Sequence, residues 1–155
     1  MKTSFAAIAL ALVGSAVAVP VQERQIRSHP YSINDISIKH LIEGDSWDFT
    51  FTINHLSPGG QIVESTSAHT AWVNNTLPVG PANPEAAENP DYTYYFPTGA
   101  FHVEEKFNFA IQGPGGLAAA DIEAGNKYQC VKLNSGNVDV ECKTINGGAF
   151  VFGAH

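Results

Sequence analysis

The sequence predicts an all-β domain, an antiparallel β-barrel or sandwich of about 8–10 short strands with little helix. Three observations carry this prediction. Apolar and polar residues alternate at period two over several short segments, Gly and Pro clusters separate those segments, and almost no stretch shows a helical period.

Taken in order, residues 1–18 read as a signal peptide: Met1, Lys2 and Thr3 make a short positive start, Phe5 to Val13 is apolar, and Ala16-Val17-Ala18 supplies small residues for cleavage. The apolar run is too short to span a bilayer, and polar Gln22 to Gln25 follows closely, so the expectation is a secreted, extracellular, soluble protein. Residues 19–30 have no apolar period and read as a flexible tail or short propeptide, with Arg24 as a processing point. A single β domain is expected over residues 31–155.

That domain opens with a hairpin. Ile36 and Ile38 alternate in a first strand, Glu43-Gly44-Asp45 forms the turn, and Trp47, Phe49, Phe51 and Ile53 share one face of the second strand, opposite Asp48, Thr50, Thr52 and Asn54. After Ser57-Pro58-Gly59-Gly60, the Ser-, Thr- and Val-rich stretch Gln61 to Val73 predicts one or two strands ending at Trp72. Leu77 to Asp91 carries Pro78, Pro81, Pro84 and Pro90 without an apolar period, which predicts a long surface loop. Tyr92 to Phe96, Ala100 to Glu105 and Lys106 to Gln112 are expected strands, the last turning Phe107, Phe109 and Ile111 one way. Gly113 to Gly116 closes it; Leu117 to Ala124 reads equally as one helical turn or a strand, and Ala149 to Phe152 as a final strand.

Cys130 and Cys142 are the chain's two cysteines, and a secretory context favours one intramolecular bridge. They sit on two strand-like arms around Asn134 to Asn137. A three-residue loop places Asn134 opposite Val138 and Cys130 opposite Cys142, a cross-strand staple contributing roughly 3 kcal/mol.

The formal charge of −7 opposes binding to nucleic acid or an anionic membrane, so neither is an expected partner. Both arginines, Arg24 and Arg27, precede the first strand. The domain therefore lacks the guanidinium fork common in phosphoryl-transfer and nuclease sites. His29, His40, His55, His69, His102 and His155 are scattered without metal-ligand spacing, and no metal or cofactor is expected; His102 and Glu104 are the one local pair placed on a common strand face.

No catalytic residue stands out. Carboxylates are abundant, but a glycosidase-type pair, such as Glu104 with Asp45 or Asp48, would have to be assembled by the fold; there is no Gly-x-Ser-x-Gly elbow and no spare thiol. Asn74-Asn75-Thr76 is an N-glycosylation sequon, with Asn74 as acceptor. The candidate contact surface is the loop with Pro78, Pro81, Pro84 and Pro90, flanked by Trp72, Tyr92, Tyr94 and Tyr95. Alternate aromatics in a strand are more often core, so the tyrosines have that reading as well.

The Ala16-Val-Ala-Val-Pro20 signal end, the Phe49-Thr-Phe-Thr-Ile53 strand, Ser67-Ala-His-Thr-Ala-Trp72 before a Pro-rich loop, and the late Cys130 and Cys142 pair together resemble the Alternaria major allergen-like family. The resemblance covers most of residues 31–152 by order of elements. It implies a small, secreted, disulfide-bonded fungal β-barrel, allergen-like or an elicitor of plant defence, with no catalytic residues to carry over. The earlier cysteine pair usual in that family has no counterpart here, His69 standing about where one member falls. No unpaired cysteine remains for dimerisation, and the oligomeric state is left open.

The functional expectation is a secreted, non-enzymatic effector-, elicitor- or allergen-like protein that binds an extracellular host or competitor protein. The alternatives are a carbohydrate or small-ligand binding β-barrel and a secreted hydrolase using paired carboxylates.

Overall fold

The structure, a computed structural model, describes residues 30–73, 77, 80–97 and 102–154. The expected signal peptide, nearly all of the tail, Asn74 and Pro78 lie outside the described residues. Ten strands and no helix make up the described chain.

The period-two segments become the strands. β1 (Tyr31–Leu41) and β2 (Ser46–Leu56) form the opening hairpin, turning through Gly44 and Asp45, both with positive φ. Phe49, Phe51 and Ile53 are buried, as their shared face requires. β3 (Ile62–Val73) is one uninterrupted strand paired with β2 along its length, with Thr66, Ala68, Thr70 and Trp72 turned inward. β4 (Glu85–Ala86) and β5 (Thr93–Tyr95) follow, then β6 (Lys106–Gly113), β7 (Gly116–Glu123), β8 (Tyr128–Ser135), β9 (Val138–Thr144) and β10 (Phe150–Ala154).

The sheet order is β3-β2-β1-β10-β7-β6-β5-β4, all antiparallel, and β8–β9 is added through β9 against β1. Beyond β4 the chain bends back onto β3: the Glu88 amide donates to Ser67 O at 2.9 Å and the Asn89 amide to Thr66 Oγ1 at 2.9 Å. These bonds join the two ends of the sheet, leaving an eight-strand, nearly closed barrel.

β1 serves two neighbours because it is bent. Tyr31 to Ile33 pair with β10, whereas Ser37 to Leu41 pair with β9. Between them the β1–β2 register slips by one residue, so Asp35 and Ile36 together oppose Phe51, and Asp35 takes φ 52°. A bulge of this kind bends a strand and re-aims one side chain: Ile36 is buried, Asp35 faces solvent.

Aromatic rings fill the barrel. Phe109 lies 5.0 Å from Phe51, 5.3 Å from Phe96 and 6.0 Å from Phe152 between ring centroids, each edge-on. Edge-to-face pairs add to the apolar burial that dominates the stability of such a core.

Several sequence expectations change in detail, and one left open is settled. Ala100 to Glu105 is not a strand where it is described: His102 to Glu105 form a turn, in which His102 O accepts from the amides of Glu105 and Lys106. His102 and Glu104 thus share no strand face. The Pro-rich stretch is not wholly loop, because Ala87 is buried and β4 pairs with β5 at Glu85–Tyr94 and Ala86–Thr93. Leu117 to Glu123 is strand and Ala124 a bend, with Ala118 and Ile122 inward and the chain paired to β6 from Gly116 to Glu123.

The cysteine staple forms as expected, Cys130 opposite Cys142 and bonded, but its turn differs. Ser135 faces Val138 across a two-residue turn, and a bulge between Lys132 and Ser135 restores the register by the same one residue that a three-residue loop would supply. Gly136, at φ 74°, takes the first turn position, where a left-handed backbone favours glycine.

Candidate functional site

The Pro-rich segment is held at several points. Besides the two clamps on β3, Asn89 Nδ2 donates to Glu64 Oε1 at 2.8 Å, and the Asp91 amide donates to Asn89 Oδ1 at 3.0 Å, a local Asx turn. The Tyr94 hydroxyl lies 2.9 Å from His69 O and 3.1 Å from Glu85 Oε2. The Tyr92 hydroxyl donates to Glu64 Oε2 at 2.5 Å, with His55 Nδ1 at 3.3 Å. Burial raises the Tyr92 and Tyr94 phenols above their ordinary pKa, and the neighbouring carboxylates, Glu64 and Glu85, add to the rise. Both phenols are therefore donors in this site, not bases.

The sequence-predicted contact residues divide accordingly. Trp72, Tyr92 and Tyr94 are buried in the core, Tyr95 is half-buried, and Pro81, Pro84 and Pro90 are exposed on the held segment. The tyrosines anchor the loop from below, and the prolines present its outer surface. Asn74 and Pro78 lie outside the described residues.

Beside this segment, on the outer face of β2 and β3, two adjoining clefts of about 350 and 270 Å³ share Thr52, Ser67 and Glu88. The first is completed by Ser65, Thr66 and Asn89. The second reaches Thr50, His69 and Asp35. Strand register explains the lining, since Thr50 faces His69 and Thr52 faces Ser67, all on the polar face that alternation turns outward. The bulge adds Asp35, whose carboxylate accepts from Asn34 Nδ2 at 2.7 Å. At the cleft's end Asn54, 4% exposed, donates to Asn34 Oδ1 and accepts from Ser65 Oγ, both at 2.7 Å. At the opposite end His69 Nε2 lies 2.9 Å from Asp48 Oδ2.

A second polar cluster sits where β1, β2 and β9 meet. His40 stacks on Trp47 at 4.6 Å, and Trp47 on Trp72 at 6.2 Å, one ring from each of three adjacent strands. The imidazole has Asp45 Oδ1 2.9 Å from Nε2 and Asp139 Oδ2 3.5 Å from Nδ1. His40 thus finds its carboxylates in a turn and on β9.

Among the described residues no group of three or more His, Cys, Asp and Glu is arranged to hold a metal. Asp45 is engaged with His40 and Asp48 with His69.

The sequence did not bring Asp35, Thr50, Thr52, Ser67, His69 and Glu88 together as one cleft. One signal was present: Ile33, Ile36 and Ile38 are spaced by three and then two, which announces an extra residue at Asn34-Asp35. Compared with known proteins, the chain matches no family model, no curated protein and no solved structure.

Proposed function

We propose that this chain is a secreted, non-enzymatic binding protein, of the effector, elicitor or allergen-like kind implied by its resemblance to the Alternaria major allergen-like barrels. It engages an extracellular protein through the Pro81–Asp91 segment and the adjoining cleft. One observation carries the reading: the segment is clamped to β3 through the amides of Glu88 and Asn89, so its exposed prolines and carboxylates are presented in one conformation. A pre-organised loop binds without the ordering cost that a floppy one incurs. The Cys130–Cys142 bridge is compatible with an oxidising, extracellular setting.

A carbohydrate-binding role is the second reading, favoured by the hydroxyl lining of the cleft.

Capture from extracellular host extract tests the proposal. Because the segment closes the barrel, its deletion would confound folding with binding. The informative variant replaces exposed Pro81, Pro84 and Pro90 by Ser and leaves the clamps intact. Loss of one specific captured protein, with an unchanged thermal melt, is the expected result; undiminished capture by the variant, or retention of polysaccharide alone, would contradict it.

A further inference from the structure

The cleft has a lopsided chemistry. Its lining offers hydroxyls from Thr50, Thr52, Ser65 and Ser67 and carboxylates from Asp35 and Glu88, with no Lys or Arg among its residues. Asn89 spends its side-chain amide on Glu64, and His69 is already paired with Asp48. The groups left to meet a ligand are therefore mainly acceptors, two of them charged.

The wider charge distribution points the same way. Nine of the chain's 15 Asp and Glu fall between His40 and Glu105, and none of its 8 Lys and Arg does. That stretch builds all of β2 to β5. The nearest cation by register, Lys39, stands opposite Asp48 and Glu141; Lys106 is bonded to Asp121 and Glu123 on the far side of the barrel. An anionic ligand would meet no counter-charge in the cleft, whereas a cationic one would be drawn to it.

The backbone beneath both carboxylates is also fixed. Asp35 is aimed outward by the bulge and held by Asn34, and Glu88 sits on the residue whose amide is fixed to Ser67. They flank a depression floored by hydroxyls that can accept the remaining N–H groups of an ammonium or guanidinium.

From this we infer that the cleft between Asp35 and Glu88 is a receptor for a basic side chain, the anchor by which a Lys- or Arg-bearing segment of the partner protein docks. The inference rests on the binding role proposed above and names the chemistry of its partner.

The test uses the oxidised protein and a labelled extended peptide alternating Arg and Ser, followed by fluorescence anisotropy, with a Gln-for-Arg peptide and a neutral oligosaccharide as competitors. Binding of the Arg peptide that weakens with salt, and that falls about tenfold or more in either Asp35→Asn or Glu88→Gln, is expected. Glu123→Gln, which removes a carboxylate from β7, should leave the affinity within about twofold. Equal losses in all three variants would show diffuse attraction in place of a site and would overturn the inference. So would the absence of Arg-peptide binding by a protein with a normal melt, or displacement by the neutral oligosaccharide. Partner capture that depends on the prolines but not on Asp35 or Glu88 would defeat this inference while sparing the binding role.

Discussion

At the scale of single residues, two positions carry a cost that their surroundings expose. Asp35 holds a left-handed backbone at φ 52°, a conformation that disfavours residues bearing Cβ and is eased in Asp by its short polar side chain. Asp35→Ala should lower stability by about 1 kcal/mol, whereas Asp35→Gly should lower it little or not at all. Urea unfolding gives the order; equal losses for both would mean that side-chain contacts, not the backbone, matter there. Tyr128 is fully buried and its hydroxyl has no hydrogen-bond partner among the described residues. Tyr128→Phe removes that orphan without changing the packed ring, so it should stabilise the protein by about 1 kcal/mol. A clear loss of stability in the same measurement would reveal a bond to the phenol.

At the scale of elements, how much was legible in the sequence follows from what alternation records. The β2 and β6 faces were readable because Phe49, Phe51 and Ile53, and again Phe107, Phe109 and Ile111, keep strict period two. The turn at His102 to Glu105 was misread because its only buried residue, Val103, looks the same in a turn as in a strand. The cleft was hidden for a different reason: its walls come from β1, β2, β3 and the held segment, and only the sheet order brings Asp35 near Glu88. The cysteine hairpin shows a pairing surviving a wrong turn, since a bulge and a longer loop shift register equally. Because among the described residues β8 pairs with no strand but β9, the bridge should matter locally. Reduction, or the double change to Ala, should cost about 3 kcal/mol, and hydrogen exchange should rise first in β8 and β9. Uniform loss of protection would contradict this placement.

At the scale of the whole molecule, a nearly closed barrel surrounds an aromatic core and keeps its charges outside. Tyr92, Tyr94 and Tyr128 all have phenol pKa values raised by burial above the ordinary 10.0, with Glu64, Glu85 and Glu104 respectively adding to the rise. A raised folded-state pKa means that the stabilisation from these neutral phenols is complete below pH 10 and is lost as pH climbs from there through the folded values. At about pH 11 the native protein should show these three rings un-ionised in its tyrosinate absorbance and should unfold more readily than at neutral pH. Full ionisation of the phenols in a still-folded protein would refute the burial account. On the outside, the cation-free stretch from His40 to Glu105 makes one half of the wall a steering surface for a basic partner, with the clamped segment and the cleft at its centre.

The most direct test of that arrangement is backbone amide chemical-shift mapping of the ¹⁵N-labelled, oxidised protein as a protein captured from host extract is titrated in. Shifts are expected at Asp35, Thr50, Thr52, Ser65 to His69 and Glu85 to Asp91, with β7 and β8 unchanged. Shifts concentrated on β7 and β8, with the cleft and the held segment silent, would contradict it.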